Sequence, residues 1–222
     1  MAKGEDLGAA AAVKPFVSRG GEKLAGALAA SGLPVKGRLC LDVGASTGGF
    51  TDCLLRAGAA AVVAVDVGYG QLAWSLRNDS RVHVLERTNA RYLQPEQLPF
   101  KPDLAVLDVS FISLAKVLPA VVACLAPQHD LLVLVKPQFE VGPGQVGKGG
   151  VVRQERLRRQ AVIGVATAAL ELGEALCGVY PAAITGPKGN RETFLWLAKP
   201  APPSAAIDAE EASGLIERVE GI

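Results

Sequence analysis

The chain has 222 residues, half of them apolar, and a formal charge of +1. That length suits one sizeable domain with short appendages, and the small charge excludes a bulk field that would draw nucleic acid to the whole surface. No run approaches the ~18 apolar residues of a membrane span; residues 117–127 come nearest and read as a buried helix.

Residues 1–15 are rich in Ala and Gly and read as a flexible lead, without the apolar core or flanks of a signal peptide, which points to a cytoplasmic protein. Residues 18–32 predict a helix: Ser18 is placed to cap it, Leu24 and Leu28 share a face, and Gly32 ends it. Apolar runs and helical patterns then alternate. Strands are expected at 38–44, 61–68, 82–87, 103–111 and 130–137, with helices at 49–58, 71–79, 114–125 and 153–173. Weaker strands follow near 175–180 and 193–198, and residues 200–222 begin as a Pro/Ala linker and end in a short amphipathic segment. The domain proper is therefore expected over 16–199. Continuous apolar strands separated by helices imply an α/β fold, a mostly parallel, Rossmann-like sheet covered on both faces.

Parallel sheets bind ligands beyond the carboxyl ends of their strands. Four strand ends there carry charge: Asp42 (with Val43 and Gly44), Asp66, Asp108 and Lys136. The first strand-to-helix loop, "LDVGASTGGFTD", supplies Gly44, Ala45, Ser46, Thr47, Gly48 and Gly49, whose glycines would let a ligand approach the backbone. A dinucleotide fingerprint needs glycine where Ser46 stands, which argues against a nicotinamide oxidoreductase. Asp42 before the loop would repel a pyrophosphate but suits a cation. Asp66 lies 22 residues after Gly44, where an acid can accept hydrogen bonds from ribose hydroxyls. An acidic, glycine-lined, ribose-reading site fits S-adenosylmethionine.

Lys23 in the first helix and Glu192 before the last strand could close a ring with Asp108 and Lys136. Methyl transfer to a sugar hydroxyl needs such a set, because a weakly acidic hydroxyl requires a positioned base or cation and in-line geometry. The loop "GPGQVGKGG" at 142–150 has the spacing of a nucleotide-phosphate loop, Gly142 to Gly147 and Lys148. However, residues 137–141 separate it from its strand, and Gly149 stands where Ser or Thr would hold magnesium. It reads better as a mobile loop at a substrate mouth, with Lys148 and Arg153 meeting RNA phosphates. The run "RQERLRR" at 153–159 carries four arginines, which suit RNA or simple solvation. The four cysteines form no C-x-x-C pair and read as buried hydrophobes, and His83 and His129 lack metal-ligand spacing.

The segments "SRGGEKL", "CLDVGASTGGFTDCLL", "AVDVGYGQLAW", "LERTNAR", "LDVSFISL", "VKPQFEVGPGQVGKGGVV" and "GPKGNRE" together resemble the TlyA family, whose members also carry the name haemolysin A. The resemblance runs from about 16 to 198. It implies a seven-stranded fold of the class I S-adenosylmethionine-dependent methyltransferase type with an FtsJ/RrmJ-like catalytic domain. It implies 2′-O-methylation of ribosomal RNA, with cytidine as the expected target and ribosomal RNA or ribosomal subunits as partner. It also implies a Lys-Asp-Lys-Glu tetrad on Lys23, Asp108, Lys136 and Glu192, with Lys136 as general base, and adds Arg19 to the RNA-contacting set. The family carries an S4-type RNA-binding domain ahead of its catalytic part; this sequence begins instead with the lead at 1–15. Related enzymes place an acid after strand three where Thr88 and Asn89 stand here, and Asn89 could bond adenine through its amide. A membrane-active cytolysin and a donor-binding domain inactive without its RNA-binding module are the rival expectations.

Overall fold

A computed structural model describes residues 16–200 and 209–220; the lead at 1–15, the linker at 201–208 and residues 221–222 lie outside the described residues. In chain order the elements are α1 (Arg19–Ser31), β1 (Leu39–Val43), α2 (Gly49–Arg56), β2 (Ala61–Val65), α3 (Trp74–Arg77), β3 (Val82–Leu85), β4 (Leu104–Leu107), α4 (Leu118–Cys124), β5 (His129–Val135), α5 (Pro137–Glu140), α6 (Glu155–Glu171), β6 (Ala175–Pro181), β7 (Thr193–Lys199) and α7 (Ala209–Glu220). The strands form a seven-stranded sheet in the order β3-β2-β1-β4-β5-β7-β6. Strands β1 to β5 pair in parallel, and β7 runs antiparallel to both β5 and β6.

Strands β1, β2 and β4 read as continuous apolar runs because nearly every position is buried, as a parallel sheet covered on both faces requires. Alternate side chains divide between two cores. Leu41, Val43, Ala105, Leu107, Leu131 and Val133 face the layer of α4 and α6. Cys40, Leu104, Val106, Leu132, Leu134 and Phe194 face α1 and α2, with Leu24, Phe50 and Leu54. Helix α7 adds to the first layer, packing on α6 and β6 through buried Ile216 and a 2.5 Å ion pair between Glu217 and Arg159.

Several sequence expectations need correction. Ser18 sits at the amino end of α1 but its hydroxyl makes no capping bond; it lies against α2, where a Cβ on Gly49 would come within 2.2 Å of it. The helix expected at 71–79 is only α3, because Leu72 is buried in the α2 layer and the Ala73 amide is tied to the Thr47 carbonyl in an extended conformation. The run at 114–125 splits into a 3-10 turn and α4, since Pro119 has no amide to donate to a continuous helix. The last two strands are not weak: each has seven residues, and β7 pairs with β5 from His129↔Lys199 to Val135↔Thr193. All four cysteines are buried and free.

Candidate active site

Strand parity aims the charged residues. Asp108 follows β4 in step with Leu104 and Val106, and Lys136 follows β5 in step with Leu132 and Leu134, so both turn toward α1. Because β7 is antiparallel, its amino end lies beside the carboxyl end of β5, where Val135 pairs with Thr193. Glu192, just before β7 and in step with Phe194, therefore joins the same rim and face. Lys23 meets them from the buried side of α1. All four line one cavity of about 750 Å³.

Within the cavity the four charges form two pairs. Lys23 Nζ donates to Glu192 Oε2 at 2.5 Å, both side chains buried. Lys136 Nζ donates to Ser110 Oγ at 2.9 Å and stands 2.6 Å from Asp108 Oδ1, outside hydrogen-bond geometry. Asp108 Oδ1 is thus buried beside the cavity without a hydrogen-bond donor. Gly186 makes room for the acid of the other pair: a Cβ there would fall 2.4 Å from Glu192 Oε1.

The first loop continues the cavity wall through Gly44, Ser46 and Thr47. Asp66, just beyond β2, accepts the Ser46 amide at 2.8 Å and the Gly68 amide at 2.6 Å, one on each oxygen. Each oxygen keeps a lone pair for a hydroxyl donor. Asp66 and Ala45 border a narrow crevice with Gln71 and Glu86, next to the main cavity at Ser46. Ser46 takes φ 49°, the left-handed conformation that favours glycine. The loop therefore adopts at Ser46 the backbone that a glycine would supply, held there by Asp66. Such a residue costs about 1 kcal/mol or more, and this strain gathers at binding sites.

Three placements differ from the sequence expectation. Asp42 is 0% exposed and lies beneath the loop, in step with Cys40 and so facing α2, where it accepts the Thr51 hydroxyl at 2.6 Å. It lines neither cavity. Burial pushes its carboxyl up to about 7, against the Thr51 hydrogen bond and with help from the Asp108 and Asp66 charges; its Oδ1 has no hydrogen-bond partner. Gly44, Gly48 and Gly49 answer to the protein itself: a Cβ would meet the Asp108 carbonyl at 2.6 Å, Leu76 at 2.3 Å and Ser18 at 2.2 Å respectively. Thr88 and Asn89 lie off both cavities, and Asn89 Oδ1 is taken by the Arg91 amide at 3.1 Å.

Of the expected RNA contacts, Arg19 lines the cavity and donates to the Thr185 carbonyl at 3.3 Å, while Lys148 and Arg153 are exposed beyond it. Val146 and Gly150 bring the glycine loop to the cavity wall. That loop follows α5 rather than β5 and closes on itself through a bridge between Gly147 and Val151, unlike a phosphate loop. In the arginine run, Arg158 is buried with its guanidinium on the Arg153 carbonyl at 2.8 Å, so the cluster is not one solvated face. Sequence reasoning missed Ser110, Phe111, Phe139 and Asn190. Phe111 is 91% exposed at φ 65° on the cavity rim, with its ring 5.1 Å from that of Phe139. A bulky side chain in that conformation was the signal, and it is visible only in three dimensions.

The FtsJ-like methyltransferase family model matches residues 16–199. The 16S/23S rRNA (cytidine-2'-O)-methyltransferase TlyA of Mycobacterium tuberculosis is 61% identical over 184 residues, 83% of this chain and 69% of that protein. Hemolysin A of Brachyspira hyodysenteriae is 43% identical over 178 residues, 80% of this chain and 74% of that one. A solved structure of a Streptococcus thermophilus protein given the name hemolysin superposes with a TM-score of 0.85 at 40% identity, over 98% of this chain and 76% of that one.

Proposed function

The chain belongs to the FtsJ-like methyltransferase family, and we propose that it transfers a methyl group from S-adenosylmethionine to a ribose 2′-hydroxyl of ribosomal RNA in the cytoplasm, with cytidine as the target. The observation that carries this reading is the convergence of Lys23, Asp108, Lys136 and Glu192 on one face of one cavity.

The residues suit the donor. Its positive sulfonium and ammonium are favoured where Asp66 and Asp108 border the crevice and the cavity, and the unpartnered Asp108 Oδ1 marks a site short of positive charge. Gly44, Ser46 and Thr47 would hold it, with Asp66 receiving ribose hydroxyls. When bound, the donor supplies an electrophilic methyl group. The chain supplies the rest. Lys136, in its neutral form, accepts the proton of the 2′-hydroxyl on Nζ, and the ammonium so formed is held by Asp108 Oδ1 and Ser110 Oγ. The Lys23–Glu192 pair lines the same cavity and fixes where the ribose can sit. Phe111 and Phe139 offer an apolar face at the rim for a nucleobase. Arg19, Lys148 and Arg153 meet phosphates.

Transfer of tritiated methyl groups to isolated small and large ribosomal subunits and to protein-free ribosomal RNA, followed by mapping of the labelled nucleotide, tests the proposal. Label on a ribose oxygen of a cytidine is the expected result; label on a base, or none on any ribosomal RNA, rejects it. The hemolysin name of some relatives favours a membrane-active reading. Among the described residues no helix is long and apolar enough to cross a membrane, and dye release from phospholipid vesicles decides that alternative.

A further inference from the structure

Two residues before Glu192, the side chain of Asn190 is 1% exposed and reaches the glycine loop some forty residues away in sequence. Its Oδ1 accepts the Val152 amide at 2.9 Å, and its Nδ2 donates to the Gly150 carbonyl at 2.8 Å. These bonds straddle Val151, as a neighbouring strand would. The orientation of the amide follows from its partners: reversed, it would set donor against donor and acceptor against acceptor. The loop has few other backbone restraints here. The Gly147 amide reaches the Val151 carbonyl at 3.2 Å, and the Gly150 amide reaches the Gly147 carbonyl at 3.0 Å. Gly149 and Gly150, at φ 81° and 79°, occupy the left-handed region and lend no side-chain anchor.

Asn190 is itself fixed at the site. Its carbonyl accepts the Gly186 amide at 2.9 Å in the turn that makes room for the Glu192 carboxylate. One buried amide thus ties the loop wall of the cavity, between Lys148 and Arg153, to the backbone that delivers Glu192 to Lys23.

We propose that Asn190 is a positioning residue for RNA: it holds the 142–152 loop in register with the Lys23–Glu192 pair, so that phosphates gripped by the loop place the ribose at the cavity. The inference rests on the methyl-transfer reading. A loop already ordered binds RNA without the entropic cost of ordering it on contact.

The test uses the full chain carrying Asn190→Ala or Asn190→Asp. Four quantities are read: hydrogen exchange at the Val152 amide, affinity for ribosomal RNA by filter binding, methyl transfer, and donor affinity by calorimetry. In Asn190→Ala, exchange at Val152 rises about tenfold or more, RNA affinity falls about fivefold or more, and turnover at subsaturating RNA falls in step. Donor affinity stays within about twofold, a result that general loosening of the cavity would not give. Asn190→Asp keeps the Val152 bond and loses the Gly150 bond, and falls between wild type and Asn190→Ala. Unchanged exchange, or faster exchange with wild-type RNA affinity, overturns the proposal, as does donor affinity that drops along with turnover. A wild-type chain that methylates no RNA rejects the methyl-transfer reading alone; exchange and RNA affinity still judge the role of Asn190.

Discussion

Charged side chains stand at both ends of the central strands, and the two ends use them differently. At the amino ends of β1, β4 and β5, Arg38 spans Asp103 at 2.9 Å and Asp130 at 3.0 Å. Asp103 also accepts the Leu39 amide at 3.1 Å, and Asp130 accepts the Trp196 indole at 2.8 Å. That network closes on itself. At the carboxyl ends, Lys136 meets Asp108 outside hydrogen-bond geometry, Asp42 keeps an oxygen without a partner, and all four paired charges open onto a cavity. A charge at a strand end is therefore no sign of a site by itself. Charged pairs that line a cavity are the sign.

The sharpest way to break this contrast is to remove one charge at each end. Lys136→Ala should cut methyl transfer about a thousandfold or more, the scale of a lost general base, while donor affinity by calorimetry stays within about twofold. Lys136→Arg should not restore turnover, since a guanidinium cannot accept the proton. At the other end, Arg38→Ala leaves two acids partly buried without their cation. It should lower stability by about 1–2 kcal/mol, read from urea unfolding, with turnover per folded molecule unchanged. A drop in turnover at matched folded fraction would show that the amino-end network also serves the chemistry.

Asp42 sharpens the comparison by pH. Its folded carboxyl titrates at about 7 while the unfolded one titrates near 3.8, so the folded chain holds a proton that the unfolded chain has released. Its contribution to stability therefore falls as pH rises from the lower value toward the upper one, and is level beyond. A cationic donor favours the ionised form. Donor affinity of the wild type should then rise with pH through neutrality, by up to about tenfold per unit. Asp42→Asn, which keeps an acceptor for Thr51 but cannot ionise, should show a flat profile in calorimetry across the same range.

Much of the site was legible because it obeys strand geometry. Asp108 and Lys136 follow adjacent parallel strands, and alternation puts both on the α1 side. Glu192 reaches the same rim because β7 is antiparallel; its place before the last strand made it a candidate to close the ring, and the motif resemblance implied it as the fourth member. What stayed hidden depends on contacts between loops. Asn190 gives no sign in sequence that it grips Gly150 and Val152. The loop glycines were ascribed to ligand approach, whereas Gly48 and Gly49 make room for Leu76 and Ser18. Asp42 shares the face of Asp108 and Lys136, but it lies within β1, level with Val106 and beneath α2, where it meets Thr51 instead of the cavity; parity gives a side chain's face and not its depth.

One pair at the amino end tests whether closure is complete there. His129, at the start of β5, has Nδ1 2.6 Å from the Ala126 carbonyl and Nε2 3.0 Å from Glu174 Oε2. Both ring nitrogens face acceptors, so the charged imidazolium satisfies both and the neutral ring satisfies one. Burial lowers the pKa of His129, but the Glu174 and Ala126 hydrogen bonds and the Glu174 charge outweigh it, against a smaller opposing effect of Lys199, and the net shift is upward. A raised pKa makes this stabilisation complete below the unfolded value of 6.5 and lost as pH rises through the folded one. Glu174 Oε1 has no partner of its own, so the pair depends on that charge. His129→Gln, which cannot be charged, should therefore cost about 1 kcal/mol at acid pH and progressively less in alkaline solution. Urea midpoints measured on both sides of neutrality read the difference, and methyl transfer should not follow it, because the pair lies at the edge of the sheet opposite the cavity. An equal cost at every pH would mean that His129 is neutral in the fold and that its hydrogen bonds, not its charge, stabilise the amino end.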